Sequence, residues 1–236
     1  MGSTPLRGCF VTGTDTGAGK TVLAAALCAA MRAAGERVAA FKPVVTGVDE
    51  PADGGWPADH VLLAAVSGAG PQDVCPVTYG PAVSPHLAAR LAGSPGLSVG
   101  DCVAAAGAAA ARADAEVLVV EGVGGLLVPL SDDASIRDLA VALALPLVVA
   151  ARPGLGTINH SLLTIEAARA AGLDVRAVVL TPWPLEPTVM QRSNRDTIAR
   201  LGDVEVAVLP EVTSAADALA AAGGELPWRA WVGARA

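Results

Sequence analysis

The sequence predicts an α/β protein of three layers, with a mostly parallel central sheet flanked by helices. Three observations carry this reading. Short apolar runs alternate with longer helical patterns along the 236 residues. The apolar runs are continuous rather than alternating with polar residues, the mark of strands covered on both faces. A glycine-rich loop joins the first run to the first helix, and strand–helix alternation implies right-handed crossovers between parallel neighbours. No linker, repeat or break in composition divides the chain, so residues 1–236 are expected to form a single domain.

Cys9 to Thr12 reads as a buried strand, followed by the glycine-rich loop and a helix from Lys20 to Ala34 that Gly35 stops. Val38 to Lys42 is the second strand, ended by Pro43, and a Gly/Pro/Asp-rich loop runs from Gly47 to Pro57. Asp59 opens a helix through Val66, while Cys75 to Pro85 is turn-rich and left without an element. Val99 to Ala113 is helical and Val117 to Val120 a strand that ends at Glu121. Three further pairs follow: helix Ser135–Leu143 with strand Leu147–Ala150, helix Thr157–Ala171 with strand Val175–Leu180, and helix Thr188–Leu201 with strand Val204–Leu209.

Composition narrows the function. Hydrophobic residues make up 53% of the chain and aromatics only 3%, so the core is built from Ala, Val and Leu and packs helices closely on the sheet. A net charge of -7 argues against general binding to nucleic acid or to an anionic membrane, and any phosphate site must be a local positive patch. The four cysteines, Cys9, Cys28, Cys75 and Cys102, show no C-x-x-C spacing and read as buried free thiols of a reducing compartment. Met1 to Pro5 lacks a basic-plus-apolar signal, and no apolar run reaches spanning length, so a cytoplasmic location is expected.

Chemistry concentrates in a few segments. Gly13-Thr14-Asp15-Thr16-Gly17-Ala18-Gly19-Lys20-Thr21 lies between a buried strand and a helix. Its glycines let the backbone wrap a phosphate, its N–H groups and the helix dipole favour an anion, Lys20 adds a full charge and the Thr21 hydroxyl can ligate Mg²⁺. The loop is one residue longer than G-x-x-x-x-G-K-[ST], since Thr14 stands where that pattern needs glycine. The fold is therefore expected to be of the phosphate-loop (P-loop) NTPase kind. Glu121, with Gly122, Val123, Gly124 and Gly125 after it, ends a buried strand where sheet ligands gather; it can hold Mg²⁺ or cap its glycine turn. Lys42 ends the second strand and should reach the crevice of Lys20, or stand in solvent. Asp59 suits an N-cap. The turn Gly154 to His160 could present N–H groups to a small carboxylate or merely cap its helix. His86 and His160 form no metal-spaced cluster with the cysteines.

Taken in order, these segments resemble the dethiobiotin synthetases. The resemblance runs through nearly the whole chain: Val11 to Thr16 and Gly19-Lys20-Thr21, then Lys42-Pro43-Val44, Thr46-Gly47, Asp59 and Ser84-Pro85-His86. It continues through Glu121-Gly122, Gly124-Gly125, Leu130-Ser131-Asp132, Gly156 to His160 and Leu209-Pro210. The longer phosphate loop is that family's own form. The resemblance implies a homodimer that closes 7,8-diaminononanoate (diaminopelargonate) and CO₂ to dethiobiotin with ATP, through a carbamate and a carbamic–phosphoric anhydride. It implies Lys20, Lys42 and Thr16 at the reacting groups, with Thr21, Asp59 and Glu121 around Mg²⁺. The nucleotide would touch Gly17, Ala18, Gly19, Lys20, Thr21, Val22, Asp59, Glu121, Gly122, Val123 and Gly124, with Thr181, Pro182, Pro210, Glu211 and Val212 near the base. Thr46 would hold the substrate, and the neighbouring subunit's copy of Gly156, Thr157, Ile158 and Asn159 would take its carboxylate across the interface.

Two positions depart from the family pattern. Gly17 stands where some relatives carry a loop Glu, and Thr181 where many carry an adenine-reading Asn. A threonine cannot make the two-way amide contact, so other triphosphates are expected to serve beside ATP. The competing readings are another ATPase of the same superfamily and a nucleotide-binding regulatory module. A partitioning ATPase would carry an extra lysine early in the loop, where this chain has Thr14, Asp15 and Thr16. An amidating synthase needs a glutaminase domain for which these 236 residues leave no room. A regulatory module would leave Lys42 and Thr46 without a role.

Overall fold

The computed structural model describes residues 6–50 and 55–233, so the reading of Met1 to Pro5 lies outside the described residues. Six parallel strands form the central sheet: β1 (Arg7–Gly13), β2 (Val38–Phe41), β5 (Val117–Gly125), β6 (Leu147–Ala151), β7 (Val175–Trp183) and β8 (Glu205–Pro210). Their spatial order is β2-β5-β1-β6-β7-β8. Both faces are covered. Beneath one face lie α1 (Lys20–Ala33), α2 (Asp59–Ser67), α3 (Pro71–Val74), α9 (Ala216–Gly224) and α10 (Trp228–Trp231), in one core with Cys9 and Val11 of β1. Beneath the other lie α5 (Val99–Arg112), α6 (Ile136–Leu143), α7 (Thr157–Ala170) and α8 (Val189–Gly202), in a second core with Phe10. Successive strand side chains point to opposite faces, so one short run of β1 seeds both cores.

Small side chains set the layer spacing. From Leu23 to Met31 every residue of α1 is buried, and α9 lies so close that a Cβ on Gly223 would meet the Ala26 carbonyl. All four cysteines are buried free thiols, and burial pushes the Cys9 thiol up to about 12 and those of Cys75 and Cys102 to about 11. Such thiols pack as small hydrophobes rather than react.

Several elements exceed what the sequence reading assigned. The ladder carries β5 on to Gly125, opposite Gly13, and β7 on to Trp183, opposite Pro210. The turn-rich stretch contains β4 (Thr78–Tyr79), which pairs with β3 (Val45–Thr46) in a small parallel sheet, and α4 (Pro85–Leu91) begins just beyond it. Two-residue strands offer no period to read, and the Ala/Gly composition of α9 offers no amphipathic stripe. Among the described residues no helix is long and apolar enough to cross a membrane.

At the start of α6, the Asp138 carboxylate accepts the Ser135 N–H at 2.7 Å and the Ser135 hydroxyl at 2.6 Å. These bonds hold the Asp138 carboxyl below its usual value. Folding therefore favours the ionised form, and that contribution exists above the unfolded carboxylate pKa and is lost as pH falls through the lowered native one. Asp138→Ala is expected to cost about 1 kcal/mol at neutral pH, with the gap to the parent closing below about pH 4. Denaturant unfolding across that range measures it.

Candidate active site

Strand order assembles the site. Because β5 lies between β2 and β1, a side chain at its carboxyl end is flanked by whatever follows those two strands. Lys42 follows β2, and the phosphate loop with Lys20 and Thr21 follows β1. Glu121, on β5, is fully buried between them. Its Oε1 accepts Lys42 Nζ at 2.5 Å and Thr21 Oγ1 at 2.8 Å. Lys42 Nζ also lies 2.7 Å from Asp59 Oδ2, at the start of α2. The Lys42 backbone is fixed by its N–H donating to the Val74 carbonyl at 2.9 Å.

Asp59 is thus more than a helix-end residue. Ala58 occupies the N-cap position, and Asp59, the first helical residue, is turned to the lysine. Nor is Lys42 a solvated strand-end lysine, being 3% exposed.

Charge in this cluster is strongly coupled. Burial works against the Lys42 ammonium, but the attraction of Glu121 and Asp59 outweighs it and holds the pKa well above the lysine range. Burial raises the Glu121 carboxyl, against the pull of Lys42. Burial also opposes the charge of Asp59, yet Lys42 brings that carboxyl below its usual value. Lys20, 7% exposed, donates to the Asp15 carbonyl at 2.9 Å. Burial lowers its pKa, Glu121 pulls the other way and Lys42 repels it. The second Glu121 oxygen, Oε2, is buried without a hydrogen-bond partner. Such an orphan acceptor is costly unless a ligand fills its need.

These groups line one cleft of about 660 Å³. Thr16, Gly17, Gly19, Lys20, Thr21 and Val22 border it on the loop side, Val123 and Gly124 on the β5 side. Lys42, Thr46, Asp59 and Glu121 complete the set that sequence reading placed here. The loop reaches this shape through left-handed glycines, Gly17 at φ 70° and Gly19 at φ 89°. The wall further includes Val44, Val45, Trp56, Pro57, Ser84 and Pro85, to which sequence reading gave no role. Ser84-Pro85-His86 was visible as a motif, but its position across the cleft depends on the β3–β4 pairing.

Other expected residues lie elsewhere. Gly122 is a packing glycine, where a Cβ would come within 2.9 Å of Ile136 and 3.0 Å of Phe10. Thr181 is 2% exposed and lies behind the loop with its methyl against Gly19, followed by a cis bond to Pro182. Pro210 ends the adjacent β8, with Glu211 and Val212 beyond it. The start of α7 lies across the phosphate loop, where Gly154, Leu155, Thr157 and His160 share a separate cavity of about 210 Å³ with Thr14, Asp15, Thr16, Ala18 and Arg152. Within one chain, Gly156, Thr157, Ile158 and Asn159 are therefore not brought to the Lys42 cleft.

A glycine loop between a central parallel strand and a helix, with a buried lysine behind it and a strand-end acid beside it, defines a P-loop nucleotide-binding protein. Comparison with known proteins agrees. The family model described as "AAA domain" matches residues 7–217. The MinC:MinD cell division protein complex of Aquifex aeolicus shares the fold, with a TM-score of 0.53 at 13% identity over 91% of this chain and 85% of that one. In sequence, the chain is 46% identical over 211 residues to the ATP-dependent dethiobiotin synthetase BioD of Anaeromyxobacter sp. (strain Fw109-5), covering 84% of this chain and 91% of the relative. It is 39% identical over 196 residues to the protein of that name from Rhodococcus erythropolis, covering 83% and 84%. The chain belongs to the ATP-dependent dethiobiotin synthetase family.

Proposed function

We propose that the chain catalyses ATP-driven formation of dethiobiotin from 7,8-diaminononanoate and CO₂, in the Lys42 cleft. The observation that carries this is the buried Lys42 ammonium, held at 2.5 Å from Glu121 and 2.7 Å from Asp59 in the cleft that also contains Lys20. A nucleotide switch has no use for a second buried cation there, whereas transfer of a phosphoryl group to a carbamate does.

One substrate amine takes up CO₂ and becomes a carbamate. Its oxygen attacks the γ-phosphorus of ATP, ADP leaves, and a carbamic–phosphoric anhydride results. The second amine attacks the carbonyl carbon and phosphate departs with the carbamate oxygen, closing the ureido ring. Lys20 and Lys42 stabilise the negative charge on the carbamate and the transferring group, Thr16 lies beside the phosphates, and Thr46 holds the substrate. Catalysis here is positioning and charge stabilisation, so the prearranged cations are the main contribution of the protein.

The oxygen donors suit a hard divalent ion. The orphan Glu121 Oε2, with the Thr21 hydroxyl and the Asp59 carboxylate near it, offers the ligand chemistry of Mg²⁺. Mg²⁺ bound there would neutralise phosphate charge. At the other end of the nucleotide, burial of Thr181 supports base contacts through backbone groups around Pro210, Glu211 and Val212, with loose selectivity.

The separation of α7 from the cleft supports a homodimer in which the partner's helix start receives the substrate carboxylate. Exposed Leu155, Leu163, Val189 and Met190, on and beside α7 and α8, supply apolar surface for such an interface. The enzyme is assigned to the cytoplasm, without nucleic-acid or membrane partners.

The test is incubation with diaminononanoate, bicarbonate, Mg²⁺ and each triphosphate, with mass detection of dethiobiotin and sedimentation of the same sample. Product with ATP and with at least one other triphosphate, from a dimer, is expected. Folded protein that makes none with any nucleotide rejects the assignment.

A further inference from the structure

Arg152 has no part in the chemistry above, yet it touches the phosphate loop. It is the residue after β6, and β6 pairs directly with β1, so the chain delivers it beside the loop. Its Nε donates to the Gly17 carbonyl at 2.8 Å. A Cβ added to Gly17 would lie 2.6 Å from an Arg152 terminal nitrogen, so the guanidinium fills the space a side chain at position 17 would take. Arg152 lines the smaller cavity and is not among the residues of the larger cleft.

Peptide geometry gives this contact a consequence. The Gly17–Ala18 bond is trans, and across a trans peptide the C=O and N–H point in opposite directions. A carbonyl held on Arg152 therefore holds the Ala18 N–H pointing away from the guanidinium. Gly17, left-handed at φ 70° and without a Cβ, is one of the two hinges of this peptide and leaves it freer to turn than a bulkier residue would. A donor free to turn away contributes less to binding than one fixed beforehand.

We propose that Arg152 is a positioning residue for the nucleotide: its guanidinium, bonded to the Gly17 carbonyl, locks the Gly17–Ala18 peptide with the Ala18 N–H presented to the phosphates. This rests on the loop being the phosphate site. The side chain is exposed, so its removal leaves the fold intact.

Calorimetric titration of the full-length protein with Mg-ATP, for parent and Arg152→Ala, tests it together with steady-state kinetics. The expected result is roughly tenfold weaker ATP binding, the worth of one charge-assisted hydrogen bond. The KM for ATP should rise in parallel, while kcat, the KM for diaminononanoate and the melting temperature stay near the parent values. The difference should persist in about 0.3 M salt, which screens a long-range charge effect but not a contact bond. Arg152→Lys should recover part of the loss. Equal ATP affinity in parent and variant would overturn the proposal. So would a loss that vanishes with salt, or one confined to the KM for diaminononanoate, which would assign Arg152 to the substrate carboxylate instead. A parent protein that binds no ATP would overturn the phosphate-loop reading itself, a different failure.

Discussion

Lys42→Met should reduce dethiobiotin formation by roughly a thousandfold, the scale of losing a prearranged charge at a phosphoryl-transfer centre. It should also destabilise the protein. Glu121 is fully buried, and Lys42 is one of the two groups that donate to its Oε1. Removing one member of a buried ion pair leaves the other uncompensated, at a cost of about 3–5 kcal/mol. The two effects are separable. Adding Glu121→Gln removes the stranded carboxylate, so the double variant should regain most of the lost stability and none of the activity. Chemical denaturation and single-turnover product analysis on the same preparations check this. A double variant that recovers turnover along with stability would reduce Lys42 to a structural residue.

Lys20→Ala carries the second large effect, with the opposite stability signature. Burial of its ammonium, with repulsion from Lys42, outweighs the attraction of Glu121, and among the described residues its hydrogen bond is to the Asp15 carbonyl. The folded protein thus gains little from this charge, which is held for a ligand. Turnover should fall by orders of magnitude, about a hundredfold or more, while thermal unfolding stays within a degree or two of the parent on a scale of about 2–4 °C per kcal/mol. A melting temperature as low as that of Lys42→Met would contradict the distinction drawn between the two lysines.

What the sequence made legible, and what it hid, follows the range of the interactions. The six main strands could be read because burial on both faces leaves uninterrupted Val/Leu/Ala runs such as Val117 to Val120. The phosphate loop could be read because its glycines, lysine and threonine are adjacent in the chain. Lys42 and Glu121 stood out only as polar residues at strand ends. Their contact spans 79 residues and exists because β5 inserts between β1 and β2, an order that no local pattern encodes. Asp59 was legible as the start of a helix but not as a partner of Lys42, since that depends on where α2 packs. Arg152 left no signal at all. It follows an ordinary strand, and its value lies in a backbone carbonyl 135 residues away.

The departure at Thr181 also gains a physical reading. Sequence alone marks a missing amide; the fold shows a buried side chain whose methyl lies against Gly19 of the loop.

The most direct test of the account is the fate of oxygen from CO₂. With ¹⁸O-labelled bicarbonate, Mg-ATP and diaminononanoate, one labelled oxygen should appear in the inorganic phosphate for each dethiobiotin formed, because the carbamate oxygen that attacks the γ-phosphorus leaves with it at ring closure. Phosphate free of label, from a reaction that still yields dethiobiotin and starts before the bicarbonate exchanges with water, would contradict it.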